Sequence, residues 1–273
     1  MMDTDGRPPV PTAITLITDF GLADGHVGAM KGVMHGIAPS TPLIDISHDV
    51  PPQDIRHGAF VLMTAYPFWP SGTVHLIVVD PGVGTQRRPV AVETAGSLFV
   101  APDNGVLSYV LQREPVTRAV QLTNPAYWHH PVSHVFHGRD IFSPAAAHLA
   151  RGVSIALLGE PVTPESLETF PVLKPVIHAD GHLVAHIQHV DRFGNCTTDL
   201  PEAELSRSGA WHIDVQGRVL DAIHRTFGDV PEGELLAFVD STGFLAIGLR
   251  NGSAAQAVPL KVGDTLDLWP GTD

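Results

Sequence analysis

Three times in the first 80 residues an apolar run reaches an aspartate: AITLITDF (13–20), TPLIDIS (41–47) and TVHLIVVD (73–80). The first two runs are each followed by a segment with helical spacing, DGHVGAMKGVMHGIA through Val27, Met30, Met34 and Ile37, and PPQDIRHGAFVLMTAY. Pro51 and Pro52 suit the start of the second helix. Apolar strands alternating with amphipathic helices can bury both faces only in a sheet covered by helices. The pattern therefore predicts a mostly parallel sheet with right-handed crossovers. PVAVETAGSLFVAP (89–102) reads as a hairpin around Ala95 and Gly96, and further helices are predicted over 105–113 and 141–151.

From Gly159 to Asp180 the texture changes to a proline-rich stretch of weak periodicity, as expected of a connection between domains. Beyond it come short apolar runs separated by turn residues: HLVAHIQHV, AWHIDVQG, GELLAFVD, GFLAIGL and DTLDLW. No helix is predicted among them. The expected architecture is an α/β N-terminal domain over 12–158, its mostly parallel sheet flanked by helices, a linker over 159–180, and a smaller all-β domain over 181–273, sandwich or barrel.

Composition excludes several function classes. No apolar run approaches the roughly 18 residues of a membrane span, and the polar, proline-rich start MMDTDGRPPVPT has no secretory h-region, so a cytoplasmic location is expected. The one cysteine, Cys196, rules out an intrachain disulfide. A net charge of −13 with no basic cluster larger than Arg87–Arg88 argues against nucleic acid as a partner. The 16 histidines include no HExxH, and Pro131 breaks up the cluster of His129, His130, His134 and His137. Neither a metal nor a cofactor is expected.

In an open parallel sheet, ligands bind beyond the carboxyl ends of the strands. Asp19, Asp45 to Asp49 and Asp80 are placed on that rim by the pattern, where they either serve a ligand or cap the helices that follow. VVDPGVGTQRRPV (78–90) is the most specific stretch: a strand ends on Asp80, and a turn then brings guanidiniums back toward it. Asp103 and Asn104 in APDNG read as turn residues. His137 in FHGRD precedes a glycine and a helix, a placement that exposes its ring at the helix entrance. A hydrolase using Ser143 with His137 and Asp140 is a weaker alternative, since Ser143 follows no nucleophile elbow.

ITDFGLADGHVGAMKG, DISHDVPPQDIRHGA, VVDPGVGTQRR, APDNGVL, FHGRDIF, VDRFGNCTTDL and STGFLAIGLRNGSAA resemble, in that order and over about 14–255, the S-adenosyl-L-methionine (SAM) hydroxide adenosyltransferases, or SAM hydrolases, relatives of the fluorinases and chlorinases. The resemblance implies that water or hydroxide attacks the ribose C5′ of SAM, giving adenosine and L-methionine. It matches Asp80, Arg87 and His137 to the residues associated with the nucleophile. It matches Asp19 to the residue that holds the ribose hydroxyls and Asp24 to a position near the methionine amino group. Asp191, Phe193 and Asn195 correspond to residues at the amino acid and adenine, with Phe193 stacked on the base. Ser241 would face the methionine carboxylate, and the backbone from Leu249 to Asn251 would read the adenine edge. A homotrimer with sites at subunit interfaces is also implied.

The sequence departs from the family pattern at His26, where a tyrosine is frequent, at Ala246, where many relatives carry an acid, and at Arg250 and Ser253 in LRNGSAA. Halide-using relatives have an extra N-terminal loop and lack the arginine and histidine matched here, so water is the expected nucleophile. A SAM or adenosine sensor with little turnover is the other class of function kept open, by Ala246 and Arg250.

Overall fold

The computed structural model describes residues 13–205 and 210–271. The start from Met1 to Thr12, expected to lack a secretory signal, lies outside them. Two compact units meet between Phe170 and Pro171.

Among the described residues the first unit carries seven strands: β1 (Ile14–Thr18), β2 (Leu43–Ser47), β3 (Thr73–Val78), β4 (Pro89–Thr94), β5 (Ser97–Pro102), β6 (Val116–Gln121) and β7 (Glu160–Pro161). Their spatial order is β2-β1-β3-β5-β4-β6-β7. β2, β1, β3 and β5 run parallel, whereas β4 against β5, β6 against β4 and β7 against β6 are antiparallel. The sheet is thus mixed rather than mostly parallel. The cause is local: a two-residue turn at Ala95–Gly96 can only reverse the chain, and two later strands then add to the reversed edge. Segment 159–180 is not a bare connector either, because β7 joins this sheet and β8 (Val176–Ile177) joins the second.

Alternating side chains sort the core into two layers. Ile14, Leu16, Val74, Leu76 and Val78 pack with Met30 and Met34 of α1 (His26–Ile37) and with Phe142 and Ala145 to Ala147 around α4 (Ser143–Ala150). The alternate positions meet α2 (Ile55–Ala65), which packs on α3 (Ser108–Arg113). α2 begins at Ile55 and not at the Pro51–Pro52 pair: Gln53 takes a left-handed φ of 68°, and the Asp54 carboxylate caps the helix by accepting from His57 N at 2.9 Å.

His75 lies on the α2 side of β3 with no exposed surface, stacked on Phe99 at 5.2 Å, its Nδ1 2.7 Å from Thr15 Oγ1. Among the described residues its Nε2 has no hydrogen-bond partner, so an imidazolium would carry an unsatisfied N–H. Burial accordingly pushes its pKa down from 6.5 to about 4. Between those values the unfolded chain binds the proton and the native chain does not. Stability from this residue is therefore complete above pH 6.5 and lost as pH falls toward 4, a change of about 3 kcal/mol. Urea unfolding at pH 7 and pH 4 checks this: His75→Asn should lose less stability than wild type across that interval by about that amount, and an identical loss would contradict it.

The second unit contains β8, β9 (Leu183–Val190), β10 (Cys196–Pro201), β11 (Trp211–Val215), β12 (Arg218–Leu220), β13 (Ile223–His224), β14 (Leu235–Val239), β15 (Phe244–Leu249) and β16 (Thr265–Pro270). The order is β12-β11-β16-β9-β10-β15-β14-β13, with β8 also on β9. β9 pairs with β16 through its first half and with β10 through its second, and β12 comes against β14. The sheet is therefore rolled nearly into a barrel around Leu183, Ile187, Ile213, Leu245, Ile247, Leu266 and Leu268. Two single-turn helices, α5 (Glu202–Leu205) and α6 (Ala254–Ala257), qualify the expectation of an all-β domain.

Among the described residues no helix is long and apolar enough to cross a membrane.

Candidate active site

β1 and β3 are adjacent and parallel, with Thr18 in register with Val78. Asp19 and Asp80 therefore leave the sheet side by side at its carboxyl edge. Asp45 does not join them: it sits within β2, where it meets Lys31 Nζ at 2.6 Å and His48 Nε2 at 3.0 Å. Asp49 lies past the strand end and is exposed.

The loop after Asp80 turns back as its sequence predicts. Arg87 Nε donates to both carboxylate oxygens of Asp80, at 2.8 and 3.0 Å, and Nη2 also reaches Oδ2. The two side chains are 8% and 5% exposed, and Phe142 lies 5.0 Å beneath the guanidinium. A glycine is required at the loop's tip. Gly84 has φ of 77°, and a Cβ there would sit 2.5 Å from the His134 carbonyl oxygen. That close approach brings the loop against the segment carrying His137.

His137 stands just before a π-turn, Gly138–Phe142, that runs into α4. Its Nδ1 is 2.9 Å from Arg87 Nη2. A guanidinium only donates, so Nδ1 must accept, and the neutral ring carries its proton on Nε2. Burial first, and the Arg87 charge second, hold the pKa of His137 below the ordinary 6.5, which keeps this tautomer in place at neutral pH. Asp80, Arg87 and His137, read separately from the sequence, are thus brought into one contact chain.

At the end of β1, Asp19 Oδ2 accepts from Gln53 N at 2.8 Å. Asp24 is exposed just before α1. His26 packs against Phe20 and against Phe136, the residue before His137 in sequence, with ring centroids at 5.6 and 5.3 Å.

In the second unit Asp191 organises the β9–β10 turn. Its Oδ1 accepts from Phe193 N and Asn195 N at 2.9 and 2.8 Å, and its Oδ2 accepts from Asn195 Nδ2 at 2.9 Å. Phe193 projects from this turn, 75% exposed. The turn after β15 lies beside it through the Ala255 N to Gly194 O bond of 3.0 Å, which brings Leu249 and Asn251 to the same end of the sheet. Ser241 is exposed in the β14–β15 turn at the opposite end of β15. Ala246 is buried in the middle of β15, and Arg250 Nη1 donates to Val230 O at 2.6 Å.

The Ser143 alternative fails on geometry. Its fully buried Oγ donates to Gly138 O at 2.7 Å, while Asp140 accepts from Arg139 at 2.6 and 2.9 Å and from Ser133 N. Among the described residues no three His, Cys, Asp or Glu side chains are grouped to hold a metal ion. Arg88, next to Arg87, instead pairs with Asp103 at 2.7 Å, a partnership that the turn-like APDNG motif does not announce.

Together these features define a two-unit, sheet-rich protein in which a buried acid–guanidinium pair meets a half-buried imidazole at the carboxyl edge of the parallel strands of the first unit. Family models for the SAM hydroxide adenosyltransferase N-terminal and C-terminal domains match residues 14–159 and 185–267. An (R)-S-adenosyl-L-methionine hydrolase of Salinispora tropica is 43% identical over 94% of this chain and 98% of its own length. A fluorinase of Nocardia brasiliensis is 27% identical over 99% of this chain and 100% of its own. A crystal structure of an uncharacterized conserved protein from Thermotoga maritima superposes with a TM-score of 0.87 at 37% identity, covering 93% of this chain and 99% of that one. The chain belongs to the SAM hydroxide adenosyltransferase family.

Proposed function

We propose that this protein hydrolyses S-adenosyl-L-methionine, water attacking C5′ to give adenosine, L-methionine and a proton. The observation that carries this is the Asp80–Arg87–His137 chain, closed by bonds of 2.8 and 2.9 Å. The C5′–O bond forms as the C5′–S bond breaks, and its electron pair neutralises the sulfonium. The leaving thioether therefore needs no general acid and the reaction needs no cofactor. What remains for the protein is to hold a small nucleophile in line with the C–S bond and to take up its proton.

The set suits that task. A water between Asp80 and His137 donates to the carboxylate and accepts from Nε2–H, with Arg87 close enough to favour hydroxide character. Asp80 receives the proton as the C–O bond forms. Asp19 takes the ribose hydroxyls on its carboxylate, and Asp24 lies near the methionine ammonium. The Asp191 turn presents Phe193 to the base, and Asn195, Ser241 and the 249–251 backbone complete the recognition. A homotrimer, with sites at its interfaces, is part of the same reading. The greater identity to a hydrolase than to a fluorinase supports water over halide.

Incubation with SAM in 18O-labelled water tests this. Many turnovers to adenosine labelled at its 5′ oxygen are expected; SAM retained intact at one per site would instead indicate a sensor, and a halogenated nucleoside formed with added halide would indicate a halogenase.

The pH profile carries a second prediction. Protonating His137 puts an N–H against the Arg87 guanidinium and breaks their bond. Activity is therefore complete above the His137 pKa and falls on acidification, with kcat/KM reporting a value below 6.5. His137→Asn should abolish this acid limb; an unchanged limb would assign it elsewhere.

A further inference from the structure

We infer that the Asp103–Asn104 turn, together with Arg88, is a positioning device that sets the separation of the catalytic residues by stapling both ends of their loop. This rests on the functional reading above and assigns residues that contact neither the proposed substrate nor the reacting water.

β3 ends at Val78 and β4 begins at Pro89, so Val79 and Arg88 are the first and last residues of the loop, next in sequence to Asp80 and Arg87. Both loop ends are bonded to the same turn. Asn104 Nδ2 donates to Val79 O at 2.9 Å, and Asp103 N donates to Arg88 O at 2.9 Å. Side chains reinforce the second staple, since Arg88 Nε donates to Asp103 Oδ2 at 2.7 Å. The turn is itself held in shape: Asn104 Oδ1 accepts from Val106 N at 3.2 Å, and Gly105 has φ of 99°, open mainly to glycine.

A third segment braces the turn from outside. Asp103 Oδ1 accepts from Glu168 N at 2.8 Å, Arg88 Nη1 donates to Ser166 Oγ at 3.2 Å, and Phe170 N donates to Ser108 Oγ at 3.0 Å. Asp103 is 6% exposed, so its carboxylate is spent on this frame. A loop that is only pinned by Asp80–Arg87 could rock as a unit and carry Arg87 away from His137. With both ends fixed to one rigid turn, the Arg87–His137 contact is fixed too.

Asn104→Asp tests this with almost no change of shape. It keeps the acceptor for Val106 N but sets a carboxylate oxygen against the Val79 carbonyl. The direct readout is the titration of His137 by NMR of histidine-labelled protein, which follows its neighbours Arg87, Asp80, Asp140 and His134 and does not depend on turnover. Loosening the loop withdraws the Arg87 charge, so the His137 midpoint should rise toward 6.5. In SAM turnover by the same variant, kcat should fall on the order of 10- to 100-fold with KM within about twofold, as displacement of a positioned group predicts. Arg88→Lys, which keeps a cation for Asp103 but cannot brace Ser166 with a fork, should move both readouts the same way and serves if Asn104→Asp does not fold. A His137 midpoint unmoved in the folded variants, or lowered thermal stability with wild-type kcat, would overturn the inference. Inactive wild-type protein with a responsive His137 would instead count against the proposed reaction while upholding the staple.

Discussion

Asp80→Ala should lower the turnover of S-adenosyl-L-methionine by roughly 100- to 10,000-fold, the range associated with loss of a positioned proton acceptor, while KM changes little. The carboxylate touches no part of the substrate in the proposed arrangement; it holds the attacking water and takes its proton. Its removal therefore acts on the transition state more than on binding. Single-turnover measurements alongside equilibrium binding would separate the two. A variant that binds poorly yet turns over normally once saturated would reassign Asp80 to substrate recognition.

Arg87→Ala should cost both catalysis and the fold. Asp80 and Arg87 are almost wholly withdrawn from solvent, and removing one member of such a pair leaves a buried charge without its partner, at about 3–5 kcal/mol. Turnover falls as well, because the same guanidinium sets the tautomer of His137 through the 2.9 Å contact. The double variant Asp80→Ala/Arg87→Ala distinguishes these effects. Deleting both charges should restore much of the lost stability, a coupling that a double-mutant cycle reads directly, while turnover stays low. Equal urea midpoints for Arg87→Ala and wild type would show that the pair is not the buried interaction described.

The parts of this site legible in the sequence are those that local chemistry governs. A strand ending on Asp80, a turn rich in glycine and proline, and Arg87 seven residues on can be read as a returning loop, because turn geometry is set by the residues in it. His137 is legible by its place before a glycine and a helix, and the resemblance to the family joins it to that pair. The Arg88–Asp103–Asn104 frame was not legible: DNG is also an ordinary turn signal, and its partners Val79 and Ser166 are remote in sequence. β10 was hidden for a related reason. CTTDLP reads as polar, yet Thr197, Thr198 and Asp199 are buried, their polar groups satisfied by Asp240, Leu245 O and His186. Hydrophobic periodicity cannot register a strand whose buried side chains are hydrogen-bonded.

The amino-acid order alone determined where strands and helices alternate in the first 80 residues, the reversal at Ala95–Gly96, the change of texture near residue 160, and that Asp19 and Asp80 follow parallel strands. These follow from side-chain alternation and turn preference, which act over a few residues. Tertiary structure decided that the first sheet is mixed, that the second rolls up through β9, that Asp45 is paired off within β2, and that His137 accepts from Arg87 rather than donating to it. Those outcomes depend on contacts between groups tens of residues apart, where burial and the pairing of charges select among arrangements that local preference leaves equally open.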